Sequence, residues 1–201
     1  ATRRAFIVNS SAARVGVLEL GPRGFRPGER TLDPGRDISK FSAGSVTSVA
    51  VGRDLVAVAV CARSNDARGR VAFYSAGDLR YLGAVTVGYG PDMLTFTPDG
   101  GRVLVANEGE QVRSQAGRIV TDPEGSVSII DVSRGLGRAS VVAARFDGFD
   151  ARIEEYRNAG VRVPRLSDGF FEAGEGEVEL STDLEPEYIA VAPDGKTAWV
   201  S

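Results

Sequence analysis

Carboxylates are the residues with chemistry to offer in this chain, and they are unevenly spread. Two stretches of the sequence resemble each other, PDMLTFTPDGGRVLVA at 91–106 and PEYIAVAPDGKTAWVS at 186–201. Asp92 opens the first, and Asp183, Glu185 and Glu187 surround the opening of the second. Glu108 and Glu110 follow the first stretch directly, and Asp122 and Glu124 stand a little further on. Oxygen ligands gathered without histidine or cysteine suit a hard cation, calcium first and magnesium second. The best donor segments are Asn107-Glu108-Gly109-Glu110 and Asp122-Pro123-Glu124-Gly125, although neither has the spacing of an EF-hand loop. The plainer alternative is a solvated acidic rim whose carboxylates accept hydrogen bonds from turn amides. Between these acids lie Arg113 and Arg118. They could hold a phosphate through bidentate hydrogen bonds, or pair with the acids beside them.

Composition removes several classes of function. The 201 residues contain no histidine, so the commonest general base, the Ser-His-Asp triad and every imidazole metal ligand are absent. The single cysteine, Cys61, can form neither an internal disulfide nor a thiolate cluster, and it reads as a small buried hydrophobe at the end of an apolar run. A net charge of -3 gives no case for a nucleic-acid partner. No stretch approaches the ~20 apolar residues of a membrane span. Nothing points to an organic cofactor.

The elements that must position these acids read as β-strands. Short β-branched runs recur between glycine-rich turns. Second-strand candidates are Ala5–Val8, Leu55–Val60, Val103–Ala106 and Ala198–Ser201; third-strand candidates are Val15–Leu20, Arg70–Ser75 and Ser126–Asp131; fourth strands fall at Tyr81–Val87 and Ala139–Phe146. Four strands every ~40–50 residues is the period of a propeller blade. Leu55–Val60 is apolar on both faces, as expected of a strand covered on both sides. The fold expected is therefore all-β, a β-propeller of four-stranded antiparallel blades. Three to four blade pieces are expected, at 1–44, 45–90, 91–146 and 186–201, with an insertion at 147–185. A short helix is expected near 150–159, with Asp150 as its N-cap, Gly160 at its end, and Ile153 and Tyr156 facing the blades. The last apolar run stops at Ser201, which leads us to expect a fragment or processed half whose first partner is the remainder of the ring.

Alternating strand direction sorts the loops. The Pro-Asp-Gly turns at 98–100 and 193–195 fall at one end of the blades and are turn chemistry. The acids listed above, with Asn65, Asp66 and the insertion, fall at the other end. Loops on a rigid scaffold are where function concentrates.

The same residues carry a family resemblance. Asp183-Leu-Glu-Pro-Glu-Tyr-Ile-Ala-Val191 followed by Asp194-Gly-Lys-Thr-Ala-Trp-Val200 resembles a signature of the choice-of-anchor I domain. Pro91-Asp-Met-Leu-Thr-Phe96 with Val103-Leu-Val-Ala-Asn-Glu-Gly-Glu110 resembles a second, and Asp122-Pro-Glu-Gly-Ser-Val-Ser-Ile-Ile-Asp131 a third. Ala159-Gly-Val-Arg162 also fits. The resemblance covers roughly residues 45–201, and residues 1–44 fit only as a generic blade. It implies a bacterial, seven-bladed propeller related to the YVTN and LVIVD repeat groups. The location implied is extracellular, periplasmic or at the cell surface. Some relatives carry an alkaline-phosphatase label.

Two functions follow as expectations. The first is a non-catalytic surface module that binds a protein or glycan through calcium-stiffened loops. The second is a calcium-dependent phosphoesterase in which Glu108, Glu110, Glu185 and Glu187 act as ligands or bases and Arg113 and Arg118 contact the phosphate. A purely structural surface-layer component is a weaker third.

Overall fold

The computed structural model describes residues 3–163 and 178–201. Part of the expected insertion, 164–177, lies outside the described residues. The architecture is all-β, built from antiparallel sheets of consecutive strands. Sheet I holds β1 (Arg3–Asn9), β2 (Arg14–Gly21) and β3 (Gly24–Leu32). Sheet II holds β4 (Ala43–Gly52), β5 (Leu55–Ala62), β6 (Arg68–Ser75) and β7 (Tyr81–Tyr89). Sheet III begins with β8 (Pro91–Phe96) and β9 (Arg102–Asn107). A two-stranded excursion, β10 (Val112–Arg113) and β11 (Ile119–Thr121), interrupts it before β12 (Ser126–Asp131) and β13 (Ser140–Arg145) complete it. A last pair, β14 (Ile189–Val191) and β15 (Ala198–Val200), closes the described chain. The strands read from apolar runs lie where those runs place them, and the β10–β11 pair matches none of them. β3 was not anticipated, because its GFRPGERTL sequence is mostly exposed and carries no apolar alternation.

The sheets stack face to face. Val56, Val58 and Val60 of β5 join Val15, Val17 and Leu32 of sheet I in one core. Ala57 and Ala59, on the opposite face of the same strand, join Leu94, Val103 and Val105 of sheet III in a second. Every residue from Val56 to Val60 is fully buried, which is why the run lacks the polar alternation of a half-exposed strand. A third core sets Leu104, Ala106 and Val127 of sheet III against Ile189 of β14.

The Pro-Asp-Gly turns share one construction. Asp99 Oδ1 accepts hydrogen bonds from Thr97 Oγ1 at 2.6 Å and Gly101 N at 2.9 Å, and Asp194 Oδ1 accepts from Lys196 N at 3.0 Å. Gly100 and Gly195 take φ values of 63° and 69°, which favour glycine. Gly195 lies against the Pro98 ring, so the two turns sit side by side at one end of the sheets.

The short helix stands close to its expected place, but its cap and its packing need correction. A 3-10 turn at Asp147–Arg152 leads into a helix at Ile153–Asn158, whose N-cap is Arg152 without a side-chain capping bond. Asp150 does not cap it. Its carboxylate instead accepts from Ser181 N at 2.8 Å and Ser181 Oγ at 2.7 Å, tying the two ends of the insertion together. Tyr156 packs edge-to-face on Phe149, 5.6 Å away, rather than into a sheet core. Gly160 ends the helix with φ 91°.

Candidate functional site

The acids gather at the end of the sheets opposite the Pro-Asp-Gly turns, beginning with two matching irregularities. In sheet III, Pro91 pairs with Asn107 and Leu94 with Val105, so three steps on β8 oppose two on β9. In sheet II, Ala43 pairs with Ala62 and Val46 with Val60, the same mismatch at the same place. A bulge re-aims the side chains within it. Here the residues re-aimed are Asp92 in one sheet and Gly44 and Ser45 in the other, and all three line one cleft of about 310 Å³. The Pro91 carbonyl fixes the gap between the sheets by accepting from Thr47 Oγ1 at 2.6 Å and Cys61 Sγ at 3.4 Å.

Asn107 positions the opposite wall. It is fully buried at the end of β9. Its Oδ1 accepts from Gly88 N at 3.0 Å, and its Nδ2 donates to Ser128 Oγ at 3.0 Å and to Ser126 Oγ and O at 3.2 Å. One side chain thus joins β7, β9 and β12. The next two amides continue the tie, with Glu108 N donating to Gly90 O and Gly109 N to Tyr89 O. Gly109 has φ 68°, and a Cβ there would meet the Pro123 and Glu124 backbone at 2.7 Å. Glycine is therefore required between the two glutamates. Gly125 N donates to Ser181 O, and a Cβ on Gly125 would strike the Leu184 carbonyl. This close approach brings the segment carrying Glu185 and Glu187 alongside.

The result is a cluster of five like charges. Glu108, half-buried, is pushed up to about 7 by burial first, and then by Glu110, Asp92, Glu185 and Glu187. Asp92 is raised by burial and then by Glu187 and Glu110. Burial raises the Cys61 thiol, and Asp92 and Glu108 add to the effect. Cys61 is half-buried and lines the cleft, so its reading as a small buried hydrophobe holds only in part. The cleft also takes in Arg63, Ser64 and Asn65 from the loop after β5. No three of the acidic or cysteine side chains converge into a ready coordination shell among the described residues.

The other candidate residues lie apart. Glu124 pairs with Arg145 Nη2 at 2.7 Å, and the same nitrogen reaches Asp147 at 3.3 Å. Asp122 and Glu124 line a separate cleft with Asp66, Arg68 and Tyr89. Asp183 is buried in a short helix at Leu180–Asp183 and does not line the acidic cleft. Arg113 and Arg118 belong to the β10–β11 excursion, and neither lines that cleft. Arg113 Nη1 donates to Gly117 O at 2.7 Å, and Arg118 N donates to Ser114 Oγ at 3.2 Å, so both residues hold the hairpin together. Asn107 was expected only as part of a donor loop, and its buried hydrogen-bond network and the paired bulges were not anticipated. Their one signal is that Asn107, polar, stands where an apolar run meets the two glutamates.

Comparison with known proteins adds the family and the fold. The sequence matches the family model of the choice-of-anchor I domain over residues 3–201. This extends the resemblance through sheet I. A crystal structure of a protein from Lactobacillus plantarum shares the fold with a TM-score of 0.58 at 15% identity, covering 98% of this chain and 46% of that one. The hydrazine synthase of Kuenenia stuttgartiensis gives a TM-score of 0.54 at 14% identity, again over 98% and 46%. The chain therefore spans less than half the length of these solved structures. No curated protein matches it.

Proposed function

The chain belongs to the choice-of-anchor I domain family, and from that premise we propose that it forms part of a β-propeller displayed at the bacterial cell surface, with a divalent cation, calcium first, held at its acidic end. The observation that carries this reading is the gathering of Asp92, Glu108, Glu110, Glu185 and Glu187, with Glu108 pushed up to about 7. Like charges brought together at a half-buried site repel one another, and a bound cation relieves the repulsion in the folded state alone. The donors are carboxylate oxygens, which suit calcium. The cleft leaves room for the waters that would complete its shell.

The propeller reading rests on the stacking of successive antiparallel sheets. β14 and β15 continue the stack but leave Tyr188, Trp199 and Val200 exposed. A further sheet of the same kind, from the same gene product or a second chain, would cover them. Surface display agrees with the family. Among the described residues no helix is long and apolar enough to cross a membrane. A surface protein or glycan is the partner class such a module would present its loops to.

The test is the melting temperature at pH 7.5 against calcium concentration, for the protein and for Glu108→Gln. A calcium-dependent rise that shrinks in the variant supports the reading, because a ligand specific for the folded state must stabilise it. An unchanged melting temperature at millimolar calcium overturns it. Turnover of p-nitrophenyl phosphate that disappears in Glu108→Gln would make the same cleft a phosphoesterase centre instead.

A further inference from the structure

Beside the acidic cleft runs a second of opposite character. It has a volume of about 630 Å³ and is lined by Lys40, Phe41, Arg63, Arg68, Arg70 and Thr86 among others, with no carboxylate in its wall. Arg63 and Ser64 line both clefts, so the two share a partition at the loop after β5. None of the four cations forms an ion pair among the described residues. A protein with more acids than bases has placed four bases together, none of them in an ion pair with a carboxylate among the described residues.

Arg70 is the most constrained of them. Its Nη1 donates to the carbonyls of Arg68 at 3.1 Å and Gly69 at 3.0 Å. Its guanidinium lies 4.9 Å from the Phe41 ring centroid. Those bonds use one nitrogen of the planar group. The Nε and Nη2 edge remains, which is the two-pronged edge that grips an oxyanion bidentately. The half-buried guanidinium is thus oriented in advance by two carbonyls and a ring, so little rotamer entropy is lost on binding.

We propose that this cleft binds a phosphate or sulfate ester. Arg70 grips the oxyanion, Lys40, Arg63 and Arg68 supply the surrounding positive charge, and the organic part lies over Phe41. An ester fits better than a bare ion, because the volume is that of a small-molecule site and far exceeds one oxyanion. The proposal does not depend on a cation in the neighbouring cleft.

Calorimetric titration at constant ionic strength tests it, with glucose 6-phosphate, glucose 6-sulfate, inorganic phosphate and chloride as probes. One or both esters should bind saturably and more tightly than inorganic phosphate, with chloride inert. The preferred ester identifies the source. Arg70→Gln should weaken binding at least about tenfold, the worth of a charged hydrogen-bonded pair. Lys40→Gln and Arg63→Gln, both at exposed lining residues, should each weaken it about threefold with melting temperature unchanged, as surface charges do. Glu108→Gln should retain ester binding, which separates this site from the cation site. No saturable ester binding by the protein, or binding unaffected in all three basic-residue variants, overturns the proposal.

Discussion

Asp99 and Asp92 are seven positions apart in sequence and stand at opposite ends of sheet III, in opposite circumstances. Asp99 is held below the usual carboxylate range by the Thr97 hydroxyl and then by the Gly101 amide. Asp92 is raised by burial and by the glutamates facing it. The first is satisfied chiefly within its own turn. The second is set by burial and by residues from two other segments, Glu187 before β14 and Glu110 after β9. Charge at the turn end therefore stabilises a local shape, whereas charge at the cleft end stands against the fold until something else neutralises it.

Breaking the scaffold of the cleft end should have the largest effect. Asn107→Leu leaves Gly88 N, Ser126 Oγ and Ser128 Oγ short of a buried partner. At about 1–3 kcal/mol for each buried group left unpaired, we expect a loss of several kcal/mol in urea unfolding. Any calcium response should go with it. A stability within experimental error of the parent would show that the network does not hold the site.

The pH response sharpens the contrast. Glu108 is raised in the folded protein from an ordinary 4.5 to about 7. The folded state therefore binds more protons than the unfolded state in that window, and stability falls as pH rises through it. Asp92 acts in the same direction. Asp99 and Asp131 are lowered in the folded state, so their contribution is lost as pH falls below the ordinary 3.8. In EDTA the melting temperature should peak near pH 5 and decline toward pH 8. Glu108→Gln should flatten the upper limb and leave the lower one. An upper limb as steep in the variant as in the parent would refute the assignment.

The smallest effect is expected at the turn. Asp99→Ala should lower the melting temperature slightly and leave calcium and ester binding unaltered. A change in either ligand response would mean that the two ends are coupled.

What the sequence disclosed follows from the range of the interactions involved. β5 was legible because five consecutive buried residues write an unbroken apolar run, and the Pro-Asp-Gly turns because their bonds close within a few residues. The sorting of loops by strand direction brought Asp92, Glu108, Glu110, Glu185 and Glu187 to one end, where the structure sets them in mutual repulsion. It could not separate out Glu124, because Glu124 meets Arg145 only once β12 and β13 pair. Arg113 and Arg118 stayed open between a phosphate clamp and pairing with nearby acids, because their fold back into a hairpin carries no apolar pattern. The role of Asn107 depends on Gly88, Ser126 and Ser128, contributed by two other strands, and no local reading could assemble them.

β5 has one more consequence. Its even-numbered valines belong to the core shared with sheet I and its odd-numbered alanines to the core shared with sheet III. Each sheet in the stack thus senses its immediate neighbours and little else, the condition for nearest-neighbour cooperativity in repeat proteins. A strand that serves two cores transmits loss of either to the other. Sheet II is the link through which unfolding at one side of the stack would propagate to the next.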